Sequence, residues 1–256
     1  MQVATYTGLM SDSPTPARHP GPRLLALDTA TERLSVAVVA RGRQWVADEP
    51  GGPLASQRLL PLSFELLQQA GIALRELDAI AFGRGPGAFT GLRTACSAAQ
   101  GLAFGATLPV LPLDSLALVA EDAFAQHGAT DVWVAMDARM DEVYAAAYRR
   151  VDAGWQVAQV PALWPLPALL DAWQRMPPAC VAGTALAAFG PRLPTGTALR
   201  VEATQDRAAA LARLAIAAWQ RGEAVDAALA LPLYLRDKVA LTTAERDARA
   251  AAKALA

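Results

Sequence analysis

Two segments of this chain share one pattern, and that repetition limits the folds open to it. The first reads LALDTATERLSVAVV over residues 25–39, the second VAMDARMDEVYAAAY over residues 134–148. Each is an apolar run ending in an aspartate, Asp28 or Asp137. A polar turn with a second acid follows, Glu32 or Asp141, and then another apolar run. A third run with a tryptophan comes next in both, near Trp45 and near Trp155. Apolar runs joined by short polar turns are hairpins, so each unit opens as a three-stranded meander. Leu59, Leu62, Leu66 and Leu67 fall at helical spacing and predict a helix over residues 56–70; its counterpart spans 166–175. A further strand follows each helix, over 78–83 and 180–183. The order of elements predicts an α/β fold of two duplicated subdomains, each a mixed sheet flanked by helices.

Between the repeats lies FGRGPGAFTGLR, residues 82–93, where Gly83, Gly85, Gly87 and Gly91 separate an apolar strand from a helix over 89–104. Glycine lets the backbone adopt conformations and close approaches that a Cβ forbids. The open N-terminus of such a helix can hold an anion or pack against another chain. It is not a phosphate-binding P-loop, because the Lys-Ser/Thr pair is missing and Arg93-Thr94 stands after Gly91-Leu92.

Composition excludes several classes. The 256 residues are 54% hydrophobic and 18% charged, too apolar for a disordered chain. A net charge of −1 gives no global basic field to recruit nucleic acid, so any RNA contact is local or made through a partner. Cys96 and Cys180 are too few for a disulfide framework and read as buried thiols. His19 and His127 cannot form a two-histidine motif on one helix face, so no metal site is expected. Residues 1–22 mix Ser, Pro, Thr and Gly without a signal-peptide pattern and read as a disordered extension. No run is long and apolar enough to span a membrane, and a cytoplasmic protein is expected. The expected division is this extension, an N-terminal subdomain over 23–114, a C-terminal subdomain over 115–240 whose last helix packs back on the first, and a tail over 241–256.

A duplicated unit with an aspartate closing its first strand suggests the actin-like (RNase H-like) architecture. There two hairpins face each other across a cleft that binds nucleotide phosphates and metal. Such hairpins need glycine where backbone meets phosphate. Here they read DTAT and DARM, so the expectation is a degenerate, vestigial nucleotide cleft marked by Asp28, Thr29 and Asp137. Those aspartates read either as metal-linked carboxylates or as acceptors for their own turns; the missing glycines favour the second.

LALDTAT from Leu25, GRGPGAFTGLR from Gly83, MDARMDEVY from Met136 and PLYLR from Pro232 occur in the order seen in the TsaB (YeaZ) family, which the chain resembles over residues 23–239. It resembles that family rather than the catalytic paralogue TsaD, whose HxxxH metal pair has no counterpart here. The resemblance implies a subunit with no catalytic residue and no cofactor of its own. It implies pairing with a TsaD-type catalytic subunit and a TsaE-type ATPase, in a complex that uses ATP. That complex places a threonylcarbamoyl group on the adenosine just 3′ of the anticodon, in tRNAs reading codons that begin with A, and the tRNA is met only through the complex. It also implies that the pairing surface is built from the first two helices.

The expected partner-binding residues are Leu59, Leu62 and Leu66 on the first helix, with Gly87, Phe89, Thr90, Gly91, Arg93, Thr94, Ala98 and Leu102 on the glycine turn and second helix. Small residues there let another helix approach closely, and Leu92, Leu102 and Phe104 supply bulk. A homodimer through the same helices is a further expectation. Arg93 sits near a helix start, where a cation needs a partner; it pairs with an acid such as Asp114 or reaches across an interface. The chain departs from many relatives in carrying Ala55 or Ser56 where they have a histidine. An independent ATPase or kinase of the same fold is the rival, and it needs phosphate hairpins that this chain lacks; a metallopeptidase needs ligands that two distant histidines do not supply.

Overall fold

The computed structural model describes residues 21–236 apart from residue 153. The expected extension, save Gly21 and Pro22, and the tail over 241–256 lie outside the described residues.

The chain runs β1 (Leu24–Asp28), β2 (Arg33–Ala40), β3 (Arg43–Pro50), α1 (Ala55–Ala70), β4 (Ala79–Gly85), α2 (Phe89–Ala106), β5 (Val110–Asp114) and α3 (Ser115–His127). The same order then recurs as β6 (Asp131–Asp137), β7 (Glu142–Val151), β8 (Gly154–Pro165), α4 (Leu166–Arg175), β9 (Cys180–Ala182), α5 (Ala185–Phe189), β10 (Leu199–Val201) and α6 (Arg207–Gln220). The two five-stranded sheets are ordered β3-β2-β1-β4-β5 and β8-β7-β6-β9-β10, which is one topology used twice. In each, the meander is antiparallel and the last three strands are parallel. This is the duplicated actin-like α/β fold.

β1 reads LLALD and is buried throughout, as a central strand covered on both faces must be. One face meets α1, whose Leu59, Leu62, Leu66, Leu67 and Ala70 join Leu25, Leu27, Val36 and Val38 in one core. Each large side chain so buried contributes about 2 kcal/mol. α1 stops at Gly71, whose left-handed φ of 65° lets its N–H bond the Gln68 carbonyl. The other face of the first sheet is covered by α6: Leu211, Ala212 and Ala215 pack on Leu24, Ala26, Ala37 and Val39. α3 lies against the second sheet, with Leu116, Val119 and Ala120 on Val132, Val134 and Ala146. Each unit's third helix thus serves the other unit's sheet, and the two halves share one joint.

Leu59, Leu62 and Leu66, expected to face a partner, are inside: none exceeds 4% exposure. The physical reason is that a helix on a sheet gives its strongest apolar stripe to that sheet first, and only the remaining face is free for another chain.

Candidate functional site

The glycine turn is spent on the first hairpin. Thr29 donates its hydroxyl to the Gly91 carbonyl at 2.6 Å, and the Ala88 N–H bonds the Ala30 carbonyl at 2.8 Å. A Cβ on Gly91 would overlap the Thr29 carbonyl oxygen, and one on Gly87 the Ala30 carbonyl. A Cβ on Gly83 would overlap the Asp28 carboxylate itself. These glycines bring the start of α2 onto the β1–β2 turn, backbone against backbone.

Asp28 lies beneath the cleft with no exposed surface, behind Ser115 and Arg207, which line it. Its Oδ1 accepts the Ala30 N–H at 3.0 Å and Arg207 Nε at 3.2 Å, and its Oδ2 accepts the Ser115 hydroxyl at 3.2 Å. Arg207 comes from the first turn of α6, far along the chain, and no local pattern in the sequence announces it. Thr29 is buried beside Asp28, and its hydroxyl bonds the glycine turn.

On the facing hairpin, Asp137 accepts the Arg139 N–H at 2.8 Å and pairs with its guanidinium at 3.4 Å. Arg139, Met140 and Asp141 all have left-handed φ values, between 58° and 64°. The turn thus adopts the backbone that glycine favours without having glycine. Arg236, at the end of the PLYLR motif, holds it through the Ala138 carbonyl at 2.9 Å and Glu142 at 2.7 Å. Arg139 also reaches Glu32 across the cleft at 3.2 Å. The cleft encloses about 910 Å³, with Pro86, Phe89, Leu92, Met136, Tyr144 and Leu233 among its walls. Among the described residues no three His, Cys, Asp or Glu side chains cluster as metal ligands would.

Arg93 does not pair with Asp114. Its guanidinium stacks 3.8 Å from the Phe89 ring centre and Nε donates to the Tyr234 hydroxyl at 3.0 Å. Asp114 is taken elsewhere: it accepts the Leu116 N–H at 2.9 Å as the cap of α3 and the Tyr148 hydroxyl at 2.6 Å. Burial pushes the Asp114 carboxyl above its usual range, against the opposing effect of those hydrogen bonds. Burial, then the neighbouring Asp114, pushes the Tyr148 phenol up as well.

The outward side of α1 and α2 is a different surface. On α2, Thr90, Arg93, Ser97, Gly101, Phe104 and Gly105 are exposed, and a Cβ on Gly101 or Gly105 would meet nothing. On α1, Leu60 and Phe64 stand out at 40% and 48% exposure. Arg58 fixes the polar rim by binding Glu49 at 2.8 Å and Glu65 at 2.9 Å, and holds both carboxyls below their usual range. The chain after β10 and α6 flanks α2, with the Gln100 amide on the Ala227 carbonyl at 2.9 Å and Cys96 on the Ala230 carbonyl at 3.4 Å. That segment adds exposed Leu229 and Leu231. Of the residues expected on this surface, Thr90 and Arg93 are exposed. Phe89, Thr94, Ala98 and Leu102 are half-buried, and Gly87 and Gly91 face the first hairpin. Leu60 and Phe64 were not expected; the available signal is their i, i+4 spacing, out of phase with the Leu59–Leu62–Leu66 stripe.

Fold and site define a class: a duplicated actin-like protein with an ion pair of its own beneath the cleft and exposed apolar side chains on its helical flank. The family described as "TsaD: tRNA N6-adenosine threonylcarbamoyltransferase" matches residues 54–243. The tRNA threonylcarbamoyladenosine biosynthesis protein TsaB of Haemophilus influenzae is 50% identical over 121 residues, 47% of this chain and 51% of that protein. TsaB of Escherichia coli K12 is 45% identical over 132 residues, 52% of this chain and 57% of that protein. The chain thus spans about half the length of these curated relatives in the matched stretches. The solved structure of YeaZ from Pseudomonas aeruginosa is 43% identical, with a TM-score of 0.76 over 84% of this chain and 100% of that one. The chain belongs to the TsaD-type protein family and, within it, to the TsaB (YeaZ) group.

Proposed function

We propose that this chain is a scaffold subunit in the formation of threonylcarbamoyladenosine on tRNA, and that it acts by binding a TsaD-type catalytic subunit through the outer face of α1 and α2. The observation that carries this reading is the exposed set Leu60, Phe64 and Phe104 around the open backbone of Gly101 and Gly105. Apolar side chains beside glycines that admit a close helix suit a four-helix contact, with two helices from each chain. The names of the TsaB relatives support the reaction assigned. A TsaE-type ATPase and ATP complete the assembly, and tRNA is met through the complex in the cytoplasm. Among the described residues no helix is long and apolar enough to cross a membrane. When the partner is absent, the same face pairs two copies of this chain.

The rival reading, an independent ATPase or kinase, is disfavoured by Asp28, whose oxygens are already bonded by Arg207, Ser115 and Ala30. The test is a dropout reconstitution with TsaC-, TsaD- and TsaE-type proteins, threonine, bicarbonate, ATP and tRNA, read by mass spectrometry of the nucleosides. Product that depends on this chain is the expected result. Product at the same level without it, from components shown to be active, would refute the scaffold role.

A further inference from the structure

In the actin-like architecture, an aspartate closing the first cleft strand serves a divalent cation and its nucleotide. The residues around Asp28 do not fit that group. One carboxylate oxygen holds the Ala30 N–H at 3.0 Å and Arg207 Nε at 3.2 Å, and the other holds the Ser115 hydroxyl at 3.2 Å. The Arg207 side chain is 4% exposed and its Nη2 reaches back to the Ser115 carbonyl at 3.4 Å. Asp137, the counterpart on the second hairpin, is committed to Arg139.

We infer that Arg207 is a built-in cation: it supplies from within the chain the positive charge that Asp28 would otherwise take from a divalent ion, and so turns the cleft floor into a fixed joint. Three features support this. A guanidinium stays protonated at any ordinary pH, so the charge is permanent. Arg207 stands in the first turn of α6, where the helix dipole disfavours a cation, so its place there depends on Asp28. The same helix start is gripped by two further elements of the first unit: Ala208 N–H bonds Asp48 of β3 at 3.0 Å, while Asp122 of α3 accepts the Gln205 and Asp206 N–H groups, each at 3.0 Å. α6 is thereby locked to β1, β3 and α3 at the point where a nucleotide-driven hinge would have to move. This inference goes beyond the docking role and does not rest on it, because docking is assigned to the other side of α2.

The test is thermal unfolding of the full chain as wild type, Arg207→Ala, Asp28→Asn and the double variant, each with and without Mg²⁺–ATP and low-millimolar guanidinium. Wild type is expected to ignore Mg²⁺–ATP. Arg207→Ala is expected to lose on the order of 10 °C, since it leaves a buried carboxylate unpaired. The double variant should recover roughly half of that loss or more, and guanidinium should raise the Tm of Arg207→Ala but not that of the double variant. A wild-type Tm raised by Mg²⁺–ATP would overturn the inference. So would a double variant no more stable than Arg207→Ala, including the case in which neither folds. Capture of the TsaD-type partner by wild type, measured alongside, keeps this outcome separate from the scaffold reading.

Discussion

The cleft and the outer face of α1 and α2 lie on either side of the same glycine-rich turn, and they treat their functional groups in opposite ways. In the cleft, Asp28, Asp137, Glu32 and Arg236 each have a partner in the chain itself. On the outer face, Leu60, Phe64, Phe104, Leu229 and Leu231 are exposed, and Gly101 and Gly105 leave room for another backbone. A region whose charges are balanced internally needs no ligand to be stable. Exposed large apolar side chains gain by being covered. The difference supports the proposal that this chain works through its flank and that its cleft is a structural joint.

Substitutions can break or sharpen that contrast. The largest expected loss is in the shared core: Leu59→Ala should cost about 3 kcal/mol by urea denaturation, because the side chain is fully packed against the first sheet. The turn comes next. Gly91→Ala should cost about 2 kcal/mol of stability, as its Cβ meets the Thr29 carbonyl, whereas Gly101→Ala should be neutral or slightly stabilising. Equal effects at the two glycines would erase the distinction drawn between the inner and outer sides of α2. The joint between halves is probed by pH. The Asp114 carboxyl is raised in the folded state, so folded protein holds that proton more tightly than unfolded chain does. Its contribution to stability is therefore full below the ordinary carboxylate value and falls as pH rises through the folded one. Asp114→Asn should flatten the stability curve above about pH 4. The smallest effect is expected at the thiols: burial pushes Cys180 up to about 11 and raises Cys96, so neither should react with iodoacetamide at neutral pH until the protein unfolds.

Much of the fold was legible because the duplication is written in local patterns. The meanders, α1 and the Leu166–Arg175 helix follow from apolar runs and helical spacing at the positions where the structure has them. What could not be read was that α3 crosses to the second sheet, since a small apolar helix such as SLALVAEDAFAQH fits either one; only the last helix was expected to cross. The site was legible in its elements and misread in its orientation. The leucine stripe of α1 marks a buried face, but the sequence does not say which surface buries it, and the chain's own sheet takes Leu59, Leu62 and Leu66. Arg93 shows the same limit: its charge asks for a partner, expected to be an acid or a group across an interface, and within the chain an aromatic pair, Phe89 and Tyr234, answers. Arg207 and Asp28 are 179 positions apart, and nothing short of the fold brings them together.

The most direct test is calorimetric titration of a TsaD-type catalytic subunit with three forms of this chain: wild type, Phe64→Asp and Asp28→Asn. Phe64→Asp should weaken binding by about 100-fold with an unchanged Tm, as burying a charge in the centre of an apolar contact would. Asp28→Asn should bind like wild type. Undiminished binding by Phe64→Asp, with binding lost in a folded Asp28→Asn, would place the functional surface in the cleft and contradict this account.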